Sequence, residues 1–299
     1  MASRTLSILH QLYEYDSFLD SITSVADIGC GTGEEIEWWA TLTTRDDPPE
    51  PHNYKCFAID NNESKLEQVP NLPNLTKLNR DFNNRFLSTQ VDLMTAFDCL
   101  QYSINPLETL KLWNEHLNVN GMLILSVPQH SGVEYNRYYS RTYNNCFYNY
   151  TPTNLLYMLA VNGFDCRDAY LRKQFNHTWI DIAVYKSDIE PMNPATTTWF
   201  ELIDTGLLHP TVENSIIKHG HLRQEDIVYP WLDRENYYID YTSQYTELPP
   251  EIGTPTIAGV FNTETSSGQT TVTQAATVKK ETRLSKSVGI MRPPKKKYD

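Results

Sequence analysis

Through the first 190 residues or so, short apolar runs alternate with segments of helical spacing. The runs 25–28, 54–60, 75–81, 92–98 and 122–127 are nearly continuous and rich in β-branched and aromatic residues, the pattern of strands buried on both faces. Between them, 34–43, a short stretch near 64–69, and 107–117 carry apolar residues at helical spacing. Pro106 suits the first turn of the last of these helices, and Asn120-Gly121 is expected to end it. The alternation predicts an α/β fold, a doubly wound and mostly parallel sheet with right-handed crossovers.

After Pro128 the pattern changes. Residues 135–150 form a Tyr/Asn-rich loop, and Thr151 then caps a helix that has Pro152 in its first position and runs to Asn162-Gly163. Strand-like runs at 164–171 and 179–185 flank a short link and are expected to pair as a terminal antiparallel hairpin. Beyond them, 199–208 and 213–218 have helical character, with Pro210, Pro230, Pro249 and Pro250 expected to break any long element. The chain thus divides into an N-terminal helical segment (1–24), a ligand-binding domain (25–187), an irregular C-terminal extension (188–250) and a Thr/Ser/Lys-rich tail (251–299) expected to be flexible.

Charge narrows the partners. The net charge is −12, but residues 260–299 hold eight Lys/Arg against three Asp/Glu, a local +5 that leaves −17 on residues 1–259. So acidic a body disfavours a nucleic-acid footprint, which needs Lys and Arg patches; only the tail supplies one. A protein partner acting through 190–299 is the other expectation. No apolar run approaches the roughly 18 residues of a membrane span, and the N-terminus lacks the apolar stretch of a secretory signal. Five scattered cysteines form no CxxC pair, and His219-x-His221 with Asp226 lacks further ligands, so no metal site is expected. A cytoplasmic location follows (a host's cytoplasm for a viral protein).

The chemistry concentrates in Asp27-Ile28-Gly29-Cys30-Gly31-Thr32-Gly33, placed directly after the first strand and opening a helix. Glycines let the backbone turn sharply against a ligand, and the helix start aims N–H groups at it. A dinucleotide fingerprint needs a third glycine where this chain has Glu34, an acid that repels pyrophosphate. Asp27, two residues before the first glycine, suits a ligand bearing an ammonium and a sulfonium. Asp60 closes the second strand, where an acid accepts hydrogen bonds from ribose hydroxyls, with Asn61 beside it. Its 27-residue distance from Gly33, against a usual spacing of about 20, is taken up by the proline-rich loop 46–52. Asp81 and Phe82, after the third strand, offer an acid and a ring to an adenine.

With these residues in order, residues 25–187 resemble a class I S-adenosylmethionine-dependent methyltransferase of Rossmann-like fold, within the broad small-molecule-type methyltransferase domain group. The segments from Asp92 to Pro106, Gly121 to Pro128 and Tyr150 to Phe164 match later motifs of that group. The resemblance implies S-adenosylmethionine as cofactor. Asp27, Gly29, Cys30, Gly31 and Gly33 would surround its methionine part, Asp60 and Asn61 the ribose, Asp81 and Phe82 the adenine, with Asp98 beside the donor methyl. Where relatives often carry Glu-His after the fourth-strand leucine, this chain has Gln101-Tyr102, so a histidine base there is absent. Candidate catalytic groups are Asp98 and His130 as bases, with Tyr102 and Tyr139 as orienters. The activity implied is methyl transfer to an O or N acceptor by in-line displacement. The competing expectation is a catalytically idle scaffold of the same fold, acting through its C-terminal extension.

Overall fold

Strand residues point alternately to two covered faces, which is why the runs read as almost uniformly apolar. The computed structural model describes residues 4–15, 17–44, 48–129, 147–173, 179–232 and 236–238. In chain order the elements are α1 (Arg4–Tyr15), β1 (Ser24–Ile28), α2 (Glu34–Thr41), β2 (Lys55–Asp60), α3 (Glu63–Leu66), β3 (Leu75–Asn79), β4 (Val91–Phe97), α4 (Pro106–His116) and β5 (Leu117–Pro128). There follow α5 (Pro152–Val161), β6 (Phe164–Lys173), β7 (Trp179–Lys186), α6 (Trp199–Thr205), α7 (Pro210–His219), β8 (Val228–Pro230) and β9 (Asn236–Tyr238). Seven strands form one sheet in the order β3-β2-β1-β4-β5-β7-β6. The first five are parallel, while β7 runs antiparallel to both β5 and β6. The doubly wound sheet and its terminal hairpin are as the hydrophobic pattern predicts.

On one face Val25, Cys56, Ala58, Leu93, Met122 and Ile124 pack under Ile8, Leu9 and Leu12 of α1 and Ile36 and Trp39 of α2. On the other, Ala26, Ile28, Ile59, Met94, Leu123 and Leu125 pack under Trp113 of α4 and Leu155, Leu156 and Leu159 of α5. Each of these larger side chains contributes roughly 1.5–3 kcal/mol by leaving water. Asn105 caps α4 ahead of Pro106, and Thr151 closes a capping box with Asn154 ahead of Pro152, satisfying N–H groups that each helix start leaves free.

Two boundaries differ from the sequence pattern. Helix α4 ends at His116, and Asn120-Gly121 lies inside β5 instead of at a helix end. The pairing of β4 with β5 jumps from Val91↔Leu117 to Leu93↔Met122, so the intervening residues bulge from the ladder. Asn120 takes the left-handed conformation (φ 64°), and a Cβ on Gly121 would sit 2.8 Å from the Asn118 carbonyl. The turn chemistry is therefore real, but it serves a bulge. Likewise Pro210 begins α7 at a position where it has no N–H to lose, with His209 as the cap, and the preceding helix stops at Gly206 in a left-handed conformation.

The segment after β7 is tied to the sheet edge. The Tyr229 hydroxyl donates to the Cys166 carbonyl (2.9 Å), the Trp231 indole donates to Gln11 of α1 (2.8 Å), and Arg172 of β6 stacks on Trp231. His130, Tyr139, most of the 135–150 loop, the link at 174–178 and the tail 251–299 lie outside the described residues. Among the described residues no helix is long and apolar enough to cross a membrane.

Candidate donor and transfer site

The site is built where β1 ends. Gly29 and Cys30 donate their N–H groups to the Ile59 carbonyl of β2 (2.8 and 3.1 Å), which turns the chain at the carboxyl end of the parallel strands before α2 begins. Gly29 and Gly33 both have positive φ (69° and 89°) and no room for a side chain. A Cβ on Gly29 would lie 2.8 Å from the Cys99 Cβ, and one on Gly33 2.9 Å from both Val69 methyls. Gly31 also has positive φ, but open space where its Cβ would be. The Cys30 thiol is buried and its pKa is pushed up by that burial, so it is packing material and not a nucleophile.

Two clefts of about 340 Å³ each meet over this turn, sharing Gly29 and Asp98 in their walls. The first is walled by Asp60, Asn61, Asp81, Phe82 and Tyr102, and Ile104 and Phe147 form an apolar rim. The second is walled by Asp27, Glu34, Glu35, Arg4 and Phe97. Sequence-selected residues from four strand ends therefore line one continuous trough.

Each acid is held differently. Asp27 is 2% exposed, accepts from the Thr95 hydroxyl at 2.7 Å through one oxygen, and has no partner for the other. Burial pushes its carboxyl well above the usual range, and the negative charge of Glu35 adds to the shift. Asp60 accepts from the N–H of Gly31 (3.0 Å) and of Asn62 (2.8 Å), clamping the glycine turn to β2. Asp81 closes a local turn by accepting from the Asn83 backbone (2.9 Å) and side chain (2.8 Å). Asp98 has φ 55°, which turns the chain out of β4. Burial raises its carboxyl despite the opposing pull of the Arg4 guanidinium.

That guanidinium is the principal feature the sequence did not disclose. Arg4, in the first turn of α1, bonds Asp98 of the β4 end, Ser126 of β5 and Asp181 of β7 (3.2 Å for the last). Its central carbon sits over the Trp179 ring, 4.2 Å from the ring centre. Asp181 is fully buried and also accepts from Ser126 (2.7 Å) and Arg172 (3.1 Å). Asp27, Thr95, Ser126, Asp181 and Arg172 all share the sheet face that α1 and α2 cover, at its carboxyl end. Polar residues at buried positions of otherwise apolar strands were a usable signal for this row. Nothing local marked Arg4 as its partner. Gln101 is buried and lines neither cleft, whereas Tyr102 does. His219 and Asp226 approach at 3.8 Å, in a surface hollow remote in sequence from these residues.

A mostly parallel sheet with a reversed seventh strand, bearing an acid-flanked glycine turn at its first crossover, defines the class I methyltransferase type. The chain belongs to the methyltransferase domain family, whose model matches residues 5–169. Its fold is also similar to those of solved structures. One is a putative S-adenosylmethionine-dependent methyltransferase from Listeria monocytogenes (16% identity, 62% of this chain and 100% of that one, TM-score 0.48). Another is the Haemonchus contortus phosphoethanolamine N-methyltransferase 2 solved with S-adenosyl-L-methionine (13% identity, 61% and 53%, TM-score 0.49). No curated protein sequence matches the chain.

Proposed function

We propose that the trough binds S-adenosylmethionine and that the protein transfers its methyl group to an oxygen or nitrogen acceptor. The observation that carries this reading is the unpartnered Asp27 oxygen, buried in the wall of the Glu35-side cleft. A buried carboxylate oxygen without a donor is costly, and the ammonium of an amino-acid ligand satisfies it. The positive-φ glycines leave the turn bare for a close approach of the ligand. From there the nucleoside half extends past Gly29, with Asp60 facing the ribose hydroxyls and Asp81 and Phe82 the adenine.

When bound, the cofactor supplies an electrophilic methyl on a sulfonium sulfur. The chain's own contribution is to position the acceptor in line with that bond, which can account for much of the acceleration. Asp98, shared by both clefts, stands where a proton leaves the acceptor, and its raised pKa makes it a better base than an ordinary surface carboxylate. Tyr102 faces the same space as an orienting hydroxyl. Calorimetry with S-adenosylmethionine tests the donor site. Wild type should bind, and Asp60→Ala should lose about 1–3 kcal/mol, roughly fivefold or more in Kd, with the ribose contacts and the clamp on Gly31. Equal affinity in both proteins removes the assignment.

A further inference from the structure

We infer that the acceptor is an uncharged aromatic small molecule, seated against the apolar rim of Ile104 and Phe147 on the cleft that Asp98 and Tyr102 also line. The inference rests on the donor site proposed above and names the class of acceptor that site serves.

Six large apolar side chains are exposed among the described residues, and three of them, Ile104 (76%), Phe147 (60%) and Tyr148 (39%), stand together at this mouth. The other three, Val119, Phe200 and Ile217, lie on β5, α6 and α7. Solitary exposed apolar residues are ordinary, whereas a group of them on the wall of a cleft marks a surface that a ligand covers. The rim is also held in place before any ligand arrives. The Gln101 carbonyl accepts from the N–H groups of Phe147 (2.9 Å) and Tyr148 (3.3 Å), and the Tyr148 hydroxyl donates to the Ile104 carbonyl (3.1 Å). Tyr150 then donates its N–H to the Pro128 carbonyl at the end of β5 (2.9 Å) and its hydroxyl to the Leu100 carbonyl (3.1 Å). Residues 147–150 are thereby stitched both to the turn after β4 and to β5, so little ordering is left to be done on binding.

Charge and shape narrow the class. The walls of the two clefts together hold six acids, Asp27, Glu34, Glu35, Asp60, Asp81 and Asp98, against two bases, Arg4 and Lys65. An anionic acceptor is repelled by that excess, and a cationic one by the sulfonium it must approach. A neutral body meets neither obstacle. The rings of Phe147 and Tyr102 offer it faces and edges to stack on, Phe82 being taken by the adenine. With the nucleoside in part of its roughly 340 Å³, the cleft leaves room for one small ring system. In the transfer, a hydroxyl or amine on such a ring bonds the methyl carbon as the carbon–sulfur bond breaks. The electron pair stays on sulfur, and Asp98 takes the acceptor's proton.

The probe is 2-naphthol, uncharged at neutral pH, titrated by calorimetry into the full chain saturated with S-adenosylhomocysteine, which fills the donor site without donating a methyl. Wild type should bind it. Phe147→Ala should weaken that binding about fivefold or more, and Ile104→Ser should weaken it as well, while both keep their affinity for S-adenosylhomocysteine. Anionic 2-naphthoate, and decahydro-2-naphthol, which has no aromatic face, should each bind at least about fivefold more weakly than 2-naphthol. No binding of 2-naphthol to wild type, or undiminished binding in both variants, overturns the inference. Equal affinity for 2-naphthoate overturns the neutral class, and equal affinity for the saturated analogue overturns the aromatic one. If Phe147→Ala weakens S-adenosylhomocysteine instead, the rim covers the donor and the acceptor assignment falls. Both substitutions are at exposed positions, and unchanged melting temperatures check that the folds are intact. Failure of wild type to bind either S-adenosylmethionine or S-adenosylhomocysteine sinks the donor reading. In that case 2-naphthol is titrated into the free protein, where the rim stands or falls by the same comparison of wild type with the two variants.

Discussion

Replacing Asp27 by asparagine separates what the donor site costs the fold from what it gives the ligand. In the folded protein the Asp27 carboxyl is buried, bonded on one side only to Thr95, and its pKa is raised. The folded state therefore holds the proton more tightly than the unfolded chain does. Between the unfolded value, about 3.9, and the higher folded one, stability falls as pH rises, by up to about 1.4 kcal/mol per pH unit. Asparagine has no proton to lose, keeps an oxygen for Thr95, and places an amide where the unpartnered oxygen was. That buried amide costs about 1–3 kcal/mol, but the cost is the same at every pH. The stability difference, variant minus wild type, should thus grow from pH 5 to pH 8. For a domain of this size each kcal/mol moves the melting temperature by about 2–4 °C. Urea or thermal denaturation at several pH values measures it. In the same variant the donor ammonium loses its carboxylate, and S-adenosylmethionine affinity should fall about tenfold or more. A difference that stays flat with pH, or shrinks, refutes the account of Asp27 as an uncompensated buried acid.

Other expectations follow from the same geometry. Asp181→Ala removes a fully buried carboxylate bonded to Arg4, Arg172 and Ser126, and should cost about 3–5 kcal/mol, read as a lowered urea midpoint. Gly33→Ala should be worse than Gly31→Ala, since both incur about 1–2 kcal/mol for positive φ but only the former drives a Cβ to 2.9 Å from the Val69 methyls; equal melting temperatures would contradict this. Thr95→Val should lower donor affinity with little effect on the apolar core, because it deletes the single hydrogen bond that orients Asp27; calorimetry and melting together check both halves.

Most of the sheet was legible because a strand covered on both faces has no choice but to be apolar, and because Pro106, Pro152, Asn105 and Thr151 are helix-start residues for local reasons. The glycine turn was legible for the same kind of reason, since three positive-φ positions in five residues demand glycine. The bulge in β5 was not. Asn120-Gly121 carries the signal of a turn, and only the pairing with β4 determines that the chain continues in the same strand direction. Arg4 was not legible either, because its partners Asp98, Ser126 and Asp181 lie 94 to 177 residues away and no local pattern links them. Thr95, Ser126 and Asp181 are polar interruptions of buried runs, and such interruptions carry as much information as glycine motifs when a site is sought.

The contact of Gln11 with Trp231 joins residues 220 positions apart, and Arg4 joins Asp181 across 177. During synthesis the first helix therefore emerges long before the strand and the indole it will rest on. Contacts of such sequence separation form late, after the loop-closure entropy of the whole sheet has been met. Until β7 is made, Arg4 has no Asp181 to reach, and the face of the sheet under α1 lacks one wall. The same wiring makes the first turn of α1 part of the trough: a change that displaces Arg4 disturbs the cleft wall it shares with Gly29 and Asp98 directly.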